Sequence, residues 1–143
     1  MELRVAETVS ALFPRFDALN AVRDRGRQII RAAGNTIRAI HRGAHAAAEA
    51  ELTVAKAMLA ALAETLRPFA GVYWAGYFQD AMKEFAEATL MLAIVGRRPL
   101  PGPDDIDVED APYLNALAEA ASELRRLTLD TLRGDDLPLA EYY

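Results

Sequence analysis

The chain has 143 residues, 52% of them hydrophobic, and no cysteine. That is enough to bury one core without disulfides, and nothing points to an oxidising compartment. A net charge of −5 argues against a generic nucleic-acid binder. The opening MELRVAETVS lacks the basic-then-apolar order of a signal peptide, and no run approaches ~18 apolar residues; one soluble, cytoplasmic domain over residues 1–143, without a membrane span, is predicted. In chain order, a short opening helix is expected to break at Pro14. Leu19, Val22, Gly26, Ile29, Ala33, Ile37 and Ile40 then recur at steps of three and four, predicting a helix from Asp17 to Gly43, about 40 Å long. After the alanine-rich Ala44 to Ala50, Leu52, Ala55, Leu59, Leu62 and Leu66 mark a second helix ending near Pro68. Phe78, Met82, Phe85 and Leu92 mark a third, ending at Gly96. The following RRPLPGPDD cannot continue a helix and should turn on the surface. A fourth helix runs from Asp110 to Arg133, with Asp110 as N-cap, Pro112 in the first turn and Gly134 as its stop. No β-period run or repeat interrupts this pattern, so the fold class is all-α, a bundle of long antiparallel helices.

Two stripes of carboxylates lie on these helices. Asp80, Glu84 and Glu87 follow at steps of four and three on the third, and Glu119 and Glu123 stand four apart on the fourth. Like charges so spaced repel by a few tenths of a kcal/mol per pair on a solvated helix. If the helices face each other, four glutamates converge into a hard-oxygen site suited to Mg²⁺ or Mn²⁺. The same spacing also suits a solvated face ion-paired to Lys83, Arg125 or Arg126.

Charge is distributed unevenly. Residues 1–45 hold eight arginines against four acids, a balance of +4 that leaves −9 for the remainder. Arg23, Arg27, Arg31, Arg38 and Arg42 fall within about 100° of one another around the long helix, a stripe that can track several phosphates or simply face solvent. Tyr73, Trp74 and Tyr77 suit base stacking, core or interface. His41 and His45 stand four apart without an HExxH or ExxH motif, so they are read as helix C-terminal histidines near exposed carbonyls and not as metal ligands.

Asp107-Val108-Glu109-Asp110, then Ala121-Ser122-Glu123-Leu124-Arg125-Arg126-Leu127, then Gly134-Asp135 together resemble the translin family, which carries a DVED segment, a helix with ASELxRL and a Gly-Asp tail. Two extra residues separate DVED from ASEL here. Glu84-Phe85-Ala86-Glu87-Ala88 is similar to the acidic ExxEA segment of the Trax branch, while Val72-Tyr73-Trp74-Ala75-Gly76-Tyr77 replaces translin's basic, histidine-containing tract. The resemblance implies a metal-dependent endoribonuclease acting on single-stranded RNA, with a non-catalytic, translin-like oligomeric scaffold that binds RNA or single-stranded DNA as the alternative. It assigns Glu84, Glu87, Glu119 and Glu123 as catalytic residues and as ligands of Mg²⁺ or Mn²⁺. Glu119 stands where that branch has aspartate, which adds one methylene, and Asp80 receives no role. The resemblance further implies a homo-oligomer or a translin-like partner subunit. The chain stops at LPLAEYY, lacking the family's usual C-terminal helices, so apolar surface at Tyr73, Trp74, Tyr77, Phe78, Leu137, Leu139, Tyr142 and Tyr143 is expected to await another subunit.

Overall fold

A computed structural model describes residues 2–143 as six helices: α1 (Glu2–His41), α2 (His45–Leu66), α3 (Ala70–Tyr73), α4 (Gly76–Val95), α5 (Asp110–Arg133) and α6 (Leu137–Tyr142). A single 3₁₀ turn, Asp104–Ile106, interrupts the proline-rich connection, and the described residues contain no strand. The helix of α4 is central. It packs against α1, α2, α3 and α5, and ten of its residues are buried, from Phe78 to Ala93. Val22, Ile29 and Ile40 of α1 and Leu59, Leu62 and Leu66 of α2 complete the core with it. Thr36, the one buried polar residue among those described, returns its hydroxyl to Ala32 O at 3.0 Å and so carries no unmet donor into the core.

The expected break at Pro14 does not occur. Proline removes one backbone hydrogen bond and crowds the preceding turn, but α1 continues through it for 40 residues. Every residue from 3 to 17 is exposed, so the carbonyl that Pro14 leaves unpaired reaches water instead of a sealed core. This arm carries a second difference. Leu3, Val5, Val9, Leu12, Phe13, Phe16 and Leu19 stand 41–79% exposed, and the buried stripe of α1 begins at Ala18 and Val22, not at Leu19. Of the aromatics expected on the surface, Trp74 and Tyr77 are exposed, whereas Phe78 is a core residue at 1%.

Helix ends are built by backbone geometry. Gly43 takes φ +68°; Gly43 N donates to Ile40 O and Ala44 N to Ala39 O, both at 2.9 Å, the paired reverse bonds that close a helix at a left-handed residue. At Gly96 and Gly134 the helices also stop, but the left-handed residues are the next ones, Arg97 and Asp135. At the start of α5, the N-cap is Glu109 and not Asp110. Its carboxylate makes no cap bond; it accepts the Tyr73 hydroxyl at 2.7 Å. Burial first, then this bond, raises the Tyr73 pKa to about 12. No described helix is long and apolar enough to cross a membrane.

Candidate functional site

Glu84 and Glu87 share one face of α4, and Glu119 and Glu123 share one face of α5. Packing of α5 on α4 turns the two pairs toward each other. Carboxylate oxygens of Glu84, Glu87 and Glu119 lie within 4.8 Å of one another. Glu123 stands beside them and acts electrostatically on Glu87, but it is held differently. His41 Nε2 meets its Oε1 at 2.5 Å, and Arg126 Nη1 lies 3.5 Å away. Thus the four acids singled out from sequence lie along two adjoining grooves; three converge and the fourth is gripped at the edge. Asp80 is exposed and outside the group.

Lys83 enters the cluster from the residue before Glu84. Its Nζ donates to both oxygens of Glu119 at 2.8 and 3.0 Å and lies 3.1 Å from Glu84 Oε1. Hydrogen bonding to Glu119 is the main cause of an upward shift in its pKa. The ion pairing open to these acids from sequence is therefore present at Lys83 and Arg126, while Arg125 forms no ion pair with the described residues.

Electrostatic conflict centres on Glu87. Its carboxyl is pushed up from 4.5 to about 7, first by burial and then by Glu84, Glu119 and Glu123, with Lys83 opposing. Carboxylate oxygens are the preferred ligands of hard divalent cations, and a half-buried acid that repels its neighbours is relieved by one. Opposite ligands of an octahedral ion at ~2.1 Å lie about 4.2 Å apart, so small side-chain rotations suffice to bring three oxygens onto Mg²⁺ or Mn²⁺. The residues fit that group, with Lys83 as a resident competitor for Glu84 and Glu119.

Arginines flank the acids on both sides. Arg38 and Arg42 of α1 line the groove with His41, Glu84, Glu87, Glu123 and Arg126. An adjoining groove past Glu87, Glu119 and Asp130 is lined by Arg125, Arg126 and Arg133 of α5. Arg23, Arg27 and Arg31 are exposed farther along α1; at 100° per residue they fall on the side of Arg38 and Arg42. The α5 bank went unnoticed in the sequence because those arginines sit among acids and read as counter-ions. His41 was misplaced for a related reason: it meets Glu123 and Asp130 of α5 and not the carbonyls ending its own helix.

No protein-family model and no curated protein matches the chain. Solved structures do. The crystal structure of AfC3PO is 29% identical, with a TM-score of 0.88, covering 97% of this chain and 72% of its own. AfC3PO in its complex with duplex RNA gives 0.87 at 29% identity, over 97% and 71%. Apo-NeC3PO, at 16% identity, shares the fold, with a TM-score of 0.83 over 96% and 72%. C3PO is the complex built from translin and Trax chains. The shared fold and the 29% identity to AfC3PO support the translin family. These neighbours do not separate the Trax branch from the translin branch.

The Glu87 shift has a measurable sign. Between pH 4.5 and about 7 the folded protein holds a proton that the unfolded chain has released. The stability linked to this group is full below pH 4.5 and is lost as pH rises through about 7. Metal-free protein is expected to melt at falling temperature across that window, and Glu87→Gln to flatten the fall. Identical melting profiles for the two proteins would remove Glu87 as the source.

Proposed function

We propose that the chain is a metal-dependent endoribonuclease of the Trax type, acting on single-stranded RNA. The observation that carries this reading is the convergence of Glu84, Glu87 and Glu119 from two helices, with Glu123 beside them. Glu84, Glu87 and Glu119 would hold Mg²⁺ or Mn²⁺. A bound ion supplies an attacking water active near neutral pH and charge stabilisation at the phosphorus oxygens. The chain's own residues do the rest. Arg38, Arg42 and Arg126 bracket the acids and neutralise the flanking phosphates, without which four glutamates would repel the backbone. Arg23, Arg27 and Arg31 extend that track along α1. Glu87 would have to release its proton to hold such an ion, so metal affinity would rise with pH up to about 7. A second copy or a translin-like subunit covers the apolar arm of α1, whose large side chains no described residue shields.

Cleavage of labelled single-stranded RNA in Mg²⁺, Mn²⁺ or EDTA tests the reading, with duplex RNA in parallel because AfC3PO is known with a duplex. Metal-dependent cleavage supports it; intact RNA in all conditions rejects it. A non-catalytic scaffold binding RNA or single-stranded DNA is the second reading. Lys83 favours it, since its ammonium already neutralises Glu84 and Glu119.

The arginine track is checked separately. Replacing Arg27, Arg31 and Arg38 together by alanine should weaken binding similarly across RNA sequences and flatten the salt dependence by about 0.7 per lost contact. An unaltered slope would make the stripe a solvated helix face.

A further inference from the structure

Among hydrogen bonds and ion pairs of the described residues, every link between α1 and α5 runs through one side chain, His41. The two helices each pack on α4 and hardly touch one another. His41 Nε2 meets Glu123 Oε1 at 2.5 Å, and its Nδ1 lies 3.8 Å from Asp130 Oδ2. The contact is no surface accident: the side chains of His41 and Glu123 are only 13% and 16% exposed. An N–H bond to a nearly buried carboxylate is strong and directional, because little water competes for either partner. The ring is also rigidly placed. His41 ends α1 two residues before the left-handed stop at Gly43, so its backbone belongs to a helix anchored in the core through Ala39 and Ile40.

This grip decides what Glu123 can do. Three carboxylates cluster within 4.8 Å and Glu123 is outside the group, although it lines the groove on both sides of Glu87. One of its oxygens is committed to the imidazole. Lys83 acts in the opposite way, spanning Glu84 and Glu119 and drawing them together.

We propose that His41 is a positioning residue: from α1 it fixes Glu123 at the rim of the three-carboxylate cluster, so that Glu123 orients the species entering the groove and is not a fourth cation ligand. The inference rests on the nuclease reading of this site. It needs no change in the charge of His41, only a fixed N–H at the Nε2 position.

That atom defines the experiment. Glutamine places its amide nitrogen where histidine has Nε2, whereas asparagine places its own near Nδ1. His41→Ala and His41→Asn are expected to lower kcat for RNA cleavage about 10- to 100-fold with KM unchanged, a typical effect of losing an outer partner of a site. His41→Gln should restore most of it. Calorimetric titration of metal-free protein with Mn²⁺ gives the second readout: His41→Ala and Glu123→Gln keep the wild-type affinity, while Glu84→Gln and Glu119→Gln lose it. Full activity in His41→Ala overturns the inference, as does equal loss in the Gln and Asn variants, which marks a merely structural contact. Weakened Mn²⁺ binding in Glu123→Gln also overturns it, by making Glu123 a ligand. A wild type that binds Mn²⁺ but cleaves no RNA defeats the nuclease reading alone, and the titration then decides the place of Glu123. A wild type that binds no Mn²⁺ defeats both.

Discussion

Glu87→Gln is expected to lower RNA cleavage by on the order of 100- to 1,000-fold while leaving the fold intact. A divalent ion contributes several kcal/mol of charge stabilisation to phosphodiester cleavage, and each 1.36 kcal/mol is worth tenfold in rate. Burial and the charges of Glu84, Glu119 and Glu123 raise the Glu87 pKa to about 7. An amide in its place keeps the shape but donates where an anionic oxygen is needed. The fold should survive because Glu87 makes no ion pair or side-chain hydrogen bond among the described residues. Without metal at pH 8 the variant should melt no lower than wild type, since a repelled, half-buried charge has been removed. Steady-state cleavage with thermal melting on the same samples checks both halves. Retained activity would sink the metal assignment, and a lower melting point would sink the electrostatic account of Glu87.

Phe85→Ala is expected to cost about 3–5 kcal/mol, the usual loss for truncating a large aromatic in a core. Phe85 is 1% exposed and stands between Glu84 and the Ala86-Glu87 pair on the most buried helix of the chain. Because total stability of a domain is only about 5–15 kcal/mol, much of it would go in one substitution. The cleavage site would go with it, as one helix carries both the ring and two of the acids. Phe85→Leu keeps most of the volume and should lose less than half as much. Urea unfolding of the two variants measures the difference; a cost near 1 kcal/mol for the alanine would mean a loosely packed α4.

Much of this fold was legible because periodicity reports which face of a helix meets the core. Val22, Ile29 and Ile40 recur at helical spacing and are buried; so do Leu59, Leu62 and Leu66, and Phe78, Met82 and Phe85. Pro14 misled because its penalty depends on whether the carbonyl it frees can reach water, which sequence does not say. The cap of α5 shifted by one residue for a similar reason: Glu109 found a better partner in Tyr73, 36 residues away.

The site divides along the same line. Spacing put Glu84 with Glu87 and Glu119 with Glu123, since the geometry of a single helix fixes which side chains share a face. The family resemblance then joined the two pairs. Only the tertiary structure decided how they meet: three carboxylates together with Lys83 between two of them, and Glu123 tied to a histidine 82 positions away. It also set Arg126 in one groove with Arg38 and Arg42. Local order along a helix follows from 3.6 residues per turn, and the sequence determines it by itself. The pairing of a carboxylate with one cation and not another depends on distance across a groove and on the water excluded there, and these exist only once the helices have packed.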